Sequence, residues 1–247
     1  MAGTGGSYIS REGRPIVLAA FGAAVIALLA SRPLASLPLL ILGALLVYLY
    51  RDPDREIPAA PLAVVSPVDG TVVAVALVDD PYLQRKCRRI TIQMPLSGPF
   101  TTRSPIEAKL VQGWVGGGKS TGSHAAPNQL HAAINTPGPT SLPNDRIALW
   151  LQTDESDDIV MTVVPRRFGF APRCYIHVGQ RIGQGQRCGF IPFGARLEVL
   201  LPDSARLLVS AGDTLIAGSD VIANVVHDAP VVAEPAAVKG VQDAYAA

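Results

Sequence analysis

The chain predicts a mostly β domain of sandwich or barrel kind, preceded by an apolar helical hairpin. Three observations predict it. Short runs with apolar–polar alternation recur from about residue 70 to 210, separated by Gly, Pro or Asp. The counts of 23 Gly and 21 Pro favour turn-rich β structure over long helices. The apolar excess, with a mean hydropathy of +0.30 and only 17% charged residues, is concentrated near the N-terminus.

After a tail at residues 1–13, residues 14–50 hold two uncharged stretches. PIVLAAFGAAVIALLAS has 17 residues and PLASLPLLILGALLVYLY has 18. Each would span about 26 Å as a helix, marginal for a bilayer core. Pro33 and Pro38 are expected to break or kink the second stretch near its start. The expected form is two short helices folded back as a membrane anchor, either crossing twice or inserting from one side. A signal peptide is the competing reading. No small-x-small cleavage site follows Ala30, however, and a second apolar run comes directly after it. Tyr48 and Tyr50 suit an interface. Arg11, Arg14, Arg51 and Arg55 flank the hairpin on the side shared by the N-terminus and the main domain. The positive-inside rule makes that side cytoplasmic, which implies a bacterial inner membrane with the main domain facing the cytoplasm.

The β domain is expected over residues 51–227. Its runs are TVVAVALV (71–78), RRITIQM (88–94), AKLVQGWV (108–115), RIALWLQT (146–153), IVMTVV (159–164), RCYIHV (173–178), ARLEVLL (195–201) and ARLLVS (205–210). Two segments are weak copies: VGQRIGQGQRCGFI (178–191) and SAGDTLIAGSDVIA (210–223). Each places glycines where short strands must turn sharply. Paired hairpins of this type resemble the barrel-sandwich fold of biotinyl and lipoyl carriers. Carriers need a lysine at a hairpin tip; Lys86, Lys109, Lys119 and Lys239 all lie outside these two segments.

Other features are bland. A formal charge of +1 gives no case for nucleic acid. Cys87, Cys174 and Cys188 show neither metal spacing nor a disulfide framework, so no metal site is expected and buried thiols are. Residues 116–143 form a Gly-, Ser- and Pro-rich loop. Its GGGKST lacks the spacing of a phosphate-binding loop and the helix that should follow. The tail at 228–247 reads as disordered.

The landmarks RDPDREIP, VVSPVDGTVV, MPLSGPFTTRSPIEAKL, PNDR, GFIPFGARLEVLLP and GDTLIAGSDVIA follow the hairpin in order. As a set, from about residue 14 to 224, they resemble the short bacterial phosphatidylserine decarboxylases. The resemblance implies a self-cleaving chain. A serine after glycine in the segment matching FGAR attacks the preceding carbonyl. The resulting ester is eliminated and hydrolysed to a pyruvoyl group, the electron sink for decarboxylation. A histidine and an aspartate assist self-cleavage.

Residue by residue, the resemblance carries the aspartate to Asp69, although a turn residue before Gly70 would explain it equally. The segment usually reading S-P-x-D-V-H-x-N-R-S-P matches PLSGPFTTRSP. Its aspartate falls on Gly98, its histidine on Phe100 and its asparagine on Thr102, with Arg103, Ser104 and Pro105 kept. The cleavage position is Gly194–Ala195, with alanine where the serine belongs. Alanine has no oxygen to attack with, and phenylalanine moves no proton. No pyruvoyl cofactor is therefore expected.

The expectation is a catalytically silent, membrane-associated relative, a pseudoenzyme of phospholipid metabolism that binds anionic phospholipid or a partner protein in the membrane. Arg103 and Arg196 are candidate lipid contacts, as are the basic stretches QRKCRR (84–89) and PRR (165–167), which read equally as solvated loops. One alternative is an active decarboxylase making phosphatidylethanolamine, with self-cleavage relocated to Gly122–Ser123, beside His124, or to Gly218–Ser219. His131 or His177 would then be the base. Another is a structural subunit of an active paralogue, consistent with homo- or hetero-oligomerisation.

Overall fold

A computed structural model describes residues 8–30, 33–60, 62–115, 136–137, 146–165 and 172–226. Two helices come first, α1 (Gly13–Leu29) and α2 (Pro33–Leu49). The strands are β1 (Ala63–Val65), β2 (Gly70–Asp79), β3 (Lys86–Gln93), β4 (Thr101–Arg103), β5 (Ala108–Val115), β6 (Thr136–Pro137), β7 (Ile147–Gln152) and β8 (Asp158–Pro165). They continue as β9 (Arg173–Cys174), β10 (Arg181–Ile182), β11 (Arg187–Phe190), β12 (Ala195–Pro202), β13 (Arg206–Leu207), β14 (Thr214–Leu215) and β15 (Val221–Asn224).

The two helices run antiparallel. A side chain on Gly13 would collide with Tyr50, and one on Gly43 would meet the Phe21 ring at 3.0 Å. The buried residues of α1 are Gly13, Val17, Ala20 and Ala24, one stripe at helical spacing. On α2, Ser36 and Gly43 are buried. The larger side chains point outward: Leu18, Ile26, Leu29, Leu34, Leu37 and Ile41 are each at least 60% exposed. Small residues bring the helices together and leucines face away, the reverse of a helix packed on a water-soluble core. Among the described residues, no helix is long and apolar enough to cross a membrane. Pro33 opens α2, and Pro38 sits inside it without ending it. The expected break does not occur, because proline is tolerated at the first helical position and Pro38 removes a single bond to the carbonyl four residues back.

The large sheet has nine strands, in the order β10-β5-β7-β8-β12-β3-β2-β14, with β6 beside β5. All these pairings are antiparallel except β5 with β6. Two three-stranded sheets, β1-β15-β13 and β4-β11-β9, complete the domain. Strand β12 lies inside the large sheet, between β8 and β3, and turns Ala195, Leu197, Val199 and Leu201 into the main core. Leu200, on its other face, joins a smaller core with Cys87, Trp114, Ala148 and Val160. The runs at 173–178 and 205–210 shorten to the two-residue strands β9 and β13. The loop at 116–143 lies outside the described residues except for β6, and the tail at 228–247 lies wholly outside them.

The weak copies have like geometry. Each has a left-handed glycine, a two-residue strand and, six positions on, a second left-handed glycine: Gly179 (φ +88) and Gly185 (φ +67), then Gly212 (φ +101) and Gly218 (φ +76). Their short strands β10 and β14 cap opposite edges of the large sheet. Their second glycines nearly touch, since a Cβ on Gly218 would lie 3.6 Å from the Gly185 Cα. An added Cβ on Gly218 would meet the Arg103 side chain first, at 2.9 Å.

Candidate functional site

Gly194 and Ala195 lie at the entry to β12. The turn before them carries Pro192, then Phe193 at φ +59 and Gly194 at φ +71. The Gly194 amide donates to the Ile191 carbonyl at 3.2 Å. Proline followed by a positive φ is the pattern of a type II turn, where glycine or asparagine would ordinarily take the place of Phe193. A Cβ on Gly194 would sit 2.8 Å from the Pro95 carbonyl oxygen. Ala195 is fully buried. Its carbonyl accepts from the Met94 amide at 3.0 Å and from Gln93 Nε2 at 3.1 Å. The backbone is sharply bent and firmly held, and its reactive position carries only a methyl group.

Phe100 is 2% exposed and sits in an aromatic box. Its ring lies 6.3 Å from Tyr50, 6.0 Å from Phe190 and 5.8 Å from Phe193, centre to centre. Tyr50 stacks on Phe190 at 5.9 Å. The Phe100 carbonyl accepts from the Ile191 amide at 2.8 Å, so Phe100 and the Gly194 turn are neighbours. Tyr50 directly follows α2, so the box also joins the hairpin to this turn. Burial raises the Tyr50 pKa above the ordinary phenol value.

The remaining divergent positions have structural causes. A Cβ on Gly98 would come within 2.5 Å of the Leu49 carbonyl oxygen, at the end of α2. Arg51 donates to the Ser97 carbonyl at 3.0 Å and to the Gly98 carbonyl at 3.2 Å. The hairpin's end thus occupies the space a longer side chain at position 98 would need. Thr102 is buried, its hydroxyl 3.5 Å from Cys188 Sγ. Burial pushes the Cys188 thiol up to about 12 and the Cys87 thiol to about 11, which keeps both neutral.

Asp69 is held elsewhere. One carboxylate oxygen accepts from Arg55 Nη2 at 2.6 Å, the other from the Ala217 amide at 2.7 Å. It directly precedes β2, which is separated from β12 by β3. The structure therefore brings Phe100 to the Gly194–Ala195 turn and Asp69 to the Gly218–Ser219 turn.

Arg103 is engaged within the protein. Its guanidinium donates to the Gly185 carbonyl at 3.1 Å and to Asp52 at 3.3 Å. It belongs to a junction that sequence reasoning missed. Arg187 pairs with Glu12 at 2.7 Å and with Asp52 at 3.2 Å. The Tyr175 hydroxyl donates to Glu12. Burial is the main cause of the upward shift of the Tyr175 phenol, reinforced by that bond. Two ends of the hairpin are thereby fastened to β4 and β11. The RDPDREIP stretch was a faint signal, since Asp52 falls within it. Arg196 is exposed at the entry to β12. His177 is exposed in the turn before β10, and its amide donates to the Gln180 side chain. Gly122–Ser123, His124, His131, Arg166 and Arg167 lie outside the described residues.

The family described as Phosphatidylserine decarboxylase matches residues 42–223 of the chain. A phosphatidylserine decarboxylase proenzyme of Nitrosomonas europaea is 33% identical over 215 residues, covering 87% of this chain and 94% of that one. A proenzyme of the same description from Nitrosomonas eutropha is 34% identical with the same coverage. One from Cupriavidus metallidurans is 34% identical over 218 residues, again covering 87% and 94%. No solved structure matches.

Proposed function

The chain belongs to the phosphatidylserine decarboxylase family, and we propose that it is a silent, membrane-associated member that stays uncleaved and binds anionic phospholipid. One observation carries the reading: Ala195 presents a buried methyl where self-cleavage needs an oxygen, and the histidine position beside it holds Phe100, closed in by three aromatic rings. The residues present do not fit a pyruvoyl group, because making one needs a side-chain oxygen that attacks the Gly194 carbonyl and then leaves by elimination, and Ala195 has none. Removing a nucleophile and its base together leaves only what binding and electrostatics supply.

On this reading residues 14–50 anchor the protein by inserting from one side of a bacterial inner membrane, and the barrel-sandwich-like domain of 51–227 faces the cytoplasm. The outward leucines of both helices support the anchor. Arg196 is exposed and suits a lipid phosphate. Arg103, already bonded to Asp52, would act on the lipid surface only by holding the hairpin in place. The test is incubation of the full chain with phosphatidylserine vesicles. The expected result is co-sedimentation with no phosphatidylethanolamine formed; steady phosphatidylethanolamine production would refute silence.

A second reading, relocated self-cleavage at Gly218–Ser219, is favoured by the Asp69 bond to Ala217, one residue from that bond. It predicts release of residues 219–247. Against it, His177 lies on a turn packed beside β5 and makes no hydrogen bond to the Gly218 turn among the described residues.

A further inference from the structure

Beside the hairpin's foot, two turns of the β domain carry exposed apolar side chains. Leu96 is 59% exposed and Phe193 is 36% exposed. The turns abut, since a Cβ on Gly194 would lie 2.8 Å from the Pro95 carbonyl oxygen. Both are fixed to the end of α2. Arg51 bonds the Ser97 and Gly98 carbonyls, and Phe193 reaches Tyr50 through the Phe100 ring.

We propose that Leu96 and Phe193 form a second, shallow membrane contact, resting in the headgroup–acyl boundary of an anionic bilayer next to the hairpin. The inference depends on the reading of the hairpin as a membrane anchor, and it adds which face of the β domain lies on the lipid. The depth follows from Arg51 and Tyr48. The Arg51 guanidinium lies 4.2 Å from the centre of the Tyr48 ring, and Tyr48 is 52% exposed among outward leucines. An aromatic ring with a polar tip and a guanidinium above it belong at the interface, apolar body inward and charge outward. The same guanidinium bonds Ser97, the residue after Leu96. Leu96 therefore sits close to the interfacial plane whenever α2 is inserted.

Backbone conformation and charge agree. Phe193 keeps a bulky ring at φ +59, where glycine or asparagine would be less strained. Exposed Arg196 follows in β12, and exposed Arg11 and Arg14 stand at the hairpin root. The root carboxylates Glu12 and Asp52 are neutralised by Arg187 and Arg103. Exposed Asp54 and Glu56 lie on the linker that runs on to Ile57, packed against Gly185. The surface around the two turns is thus apolar at its centre and basic at its edge, which matches anionic lipid.

The experiment uses the full chain as Leu96→Trp and, separately, Phe193→Trp, on phosphatidylglycerol vesicles containing brominated lipid. Val178→Trp, at an exposed position before β10, is the control. Flotation reports the anchor, and bromine quenching above that of the parent's Trp114 and Trp150 reports the turns. The inference expects flotation with quenching at 96 and 193 about twofold or more above that at 178. Flotation with all three sites equally unquenched would overturn the second contact and leave the anchor standing. Failure to float would overturn the anchor and the inference with it. A Leu96→Asp variant, which keeps the buried box intact, is expected to lower vesicle affinity several-fold; unchanged affinity would count against the contact.

Discussion

Two glycine turns divide between them what self-cleavage would require. The Gly194–Ala195 turn has the position: a left-handed glycine, a bonded carbonyl and a place at the entry to β12. It lacks an oxygen, and its neighbour at the histidine position is Phe100. The Gly218–Ser219 turn has a serine and Asp69 one residue away, both of whose carboxylate oxygens already accept bonds, from Arg55 and the Ala217 amide. On the proposed reading of a silent chain, the difference teaches that the scaffold of a reaction can outlast the reaction. Strain and hydrogen bonds persist at the first turn because they also build the sheet, and an acid persists at the second because it also holds two segments together.

Replacement of Phe100 breaks the comparison most strongly. Phe100→Ala opens a cavity among Tyr50, Phe190 and Phe193, and is expected to cost about 3–5 kcal/mol. For a chain of this size that lowers the unfolding midpoint by roughly 10 °C, readable by calorimetry in detergent. A shift of a degree or less would mean that the box does not join the hairpin to the Gly194 turn. A smaller loss, about 1–3 kcal/mol, is expected for Asp69→Ala, which leaves Arg55 and the Ala217 amide without their acceptor. Amide hydrogen exchange should quicken at 217 and leave the Gly194 turn unchanged. Equal quickening at both turns would merge the two regions into one.

Much of this was legible in the sequence because it is local. The long strands β2, β3, β5, β7, β8 and β12 alternate over enough residues to reveal their period, and the two glycine copies appear as a repeat. The alanine at 195 and the phenylalanine at 100 needed only a match of letters. What was not legible is non-local. Two-residue strands such as β10 and β14 are too short to show a period. Arg103 read as a candidate lipid contact, yet its partner Asp52 lies 51 positions away. Arg187 and Glu12 are separated by 175 positions. The reason for Gly98, the approach of the Leu49 carbonyl, exists only once the hairpin is docked. A break at Pro38 does not occur because a single proline removes one bond, and a helix of 17 residues continues past it.

The central claim is that the chain stays whole, and intact mass tests it most directly. Purified protein, and its Ala195→Ser variant, would be incubated and weighed without proteolysis. The account predicts one species of 25.9 kDa for the native chain. It predicts an equally uncleaved Ala195→Ser variant, since Phe100 still supplies no base. Two fragments divided at Gly194–Ala195 or at Gly218–Ser219, the C-terminal one blocked at its new N-terminus, would contradict it.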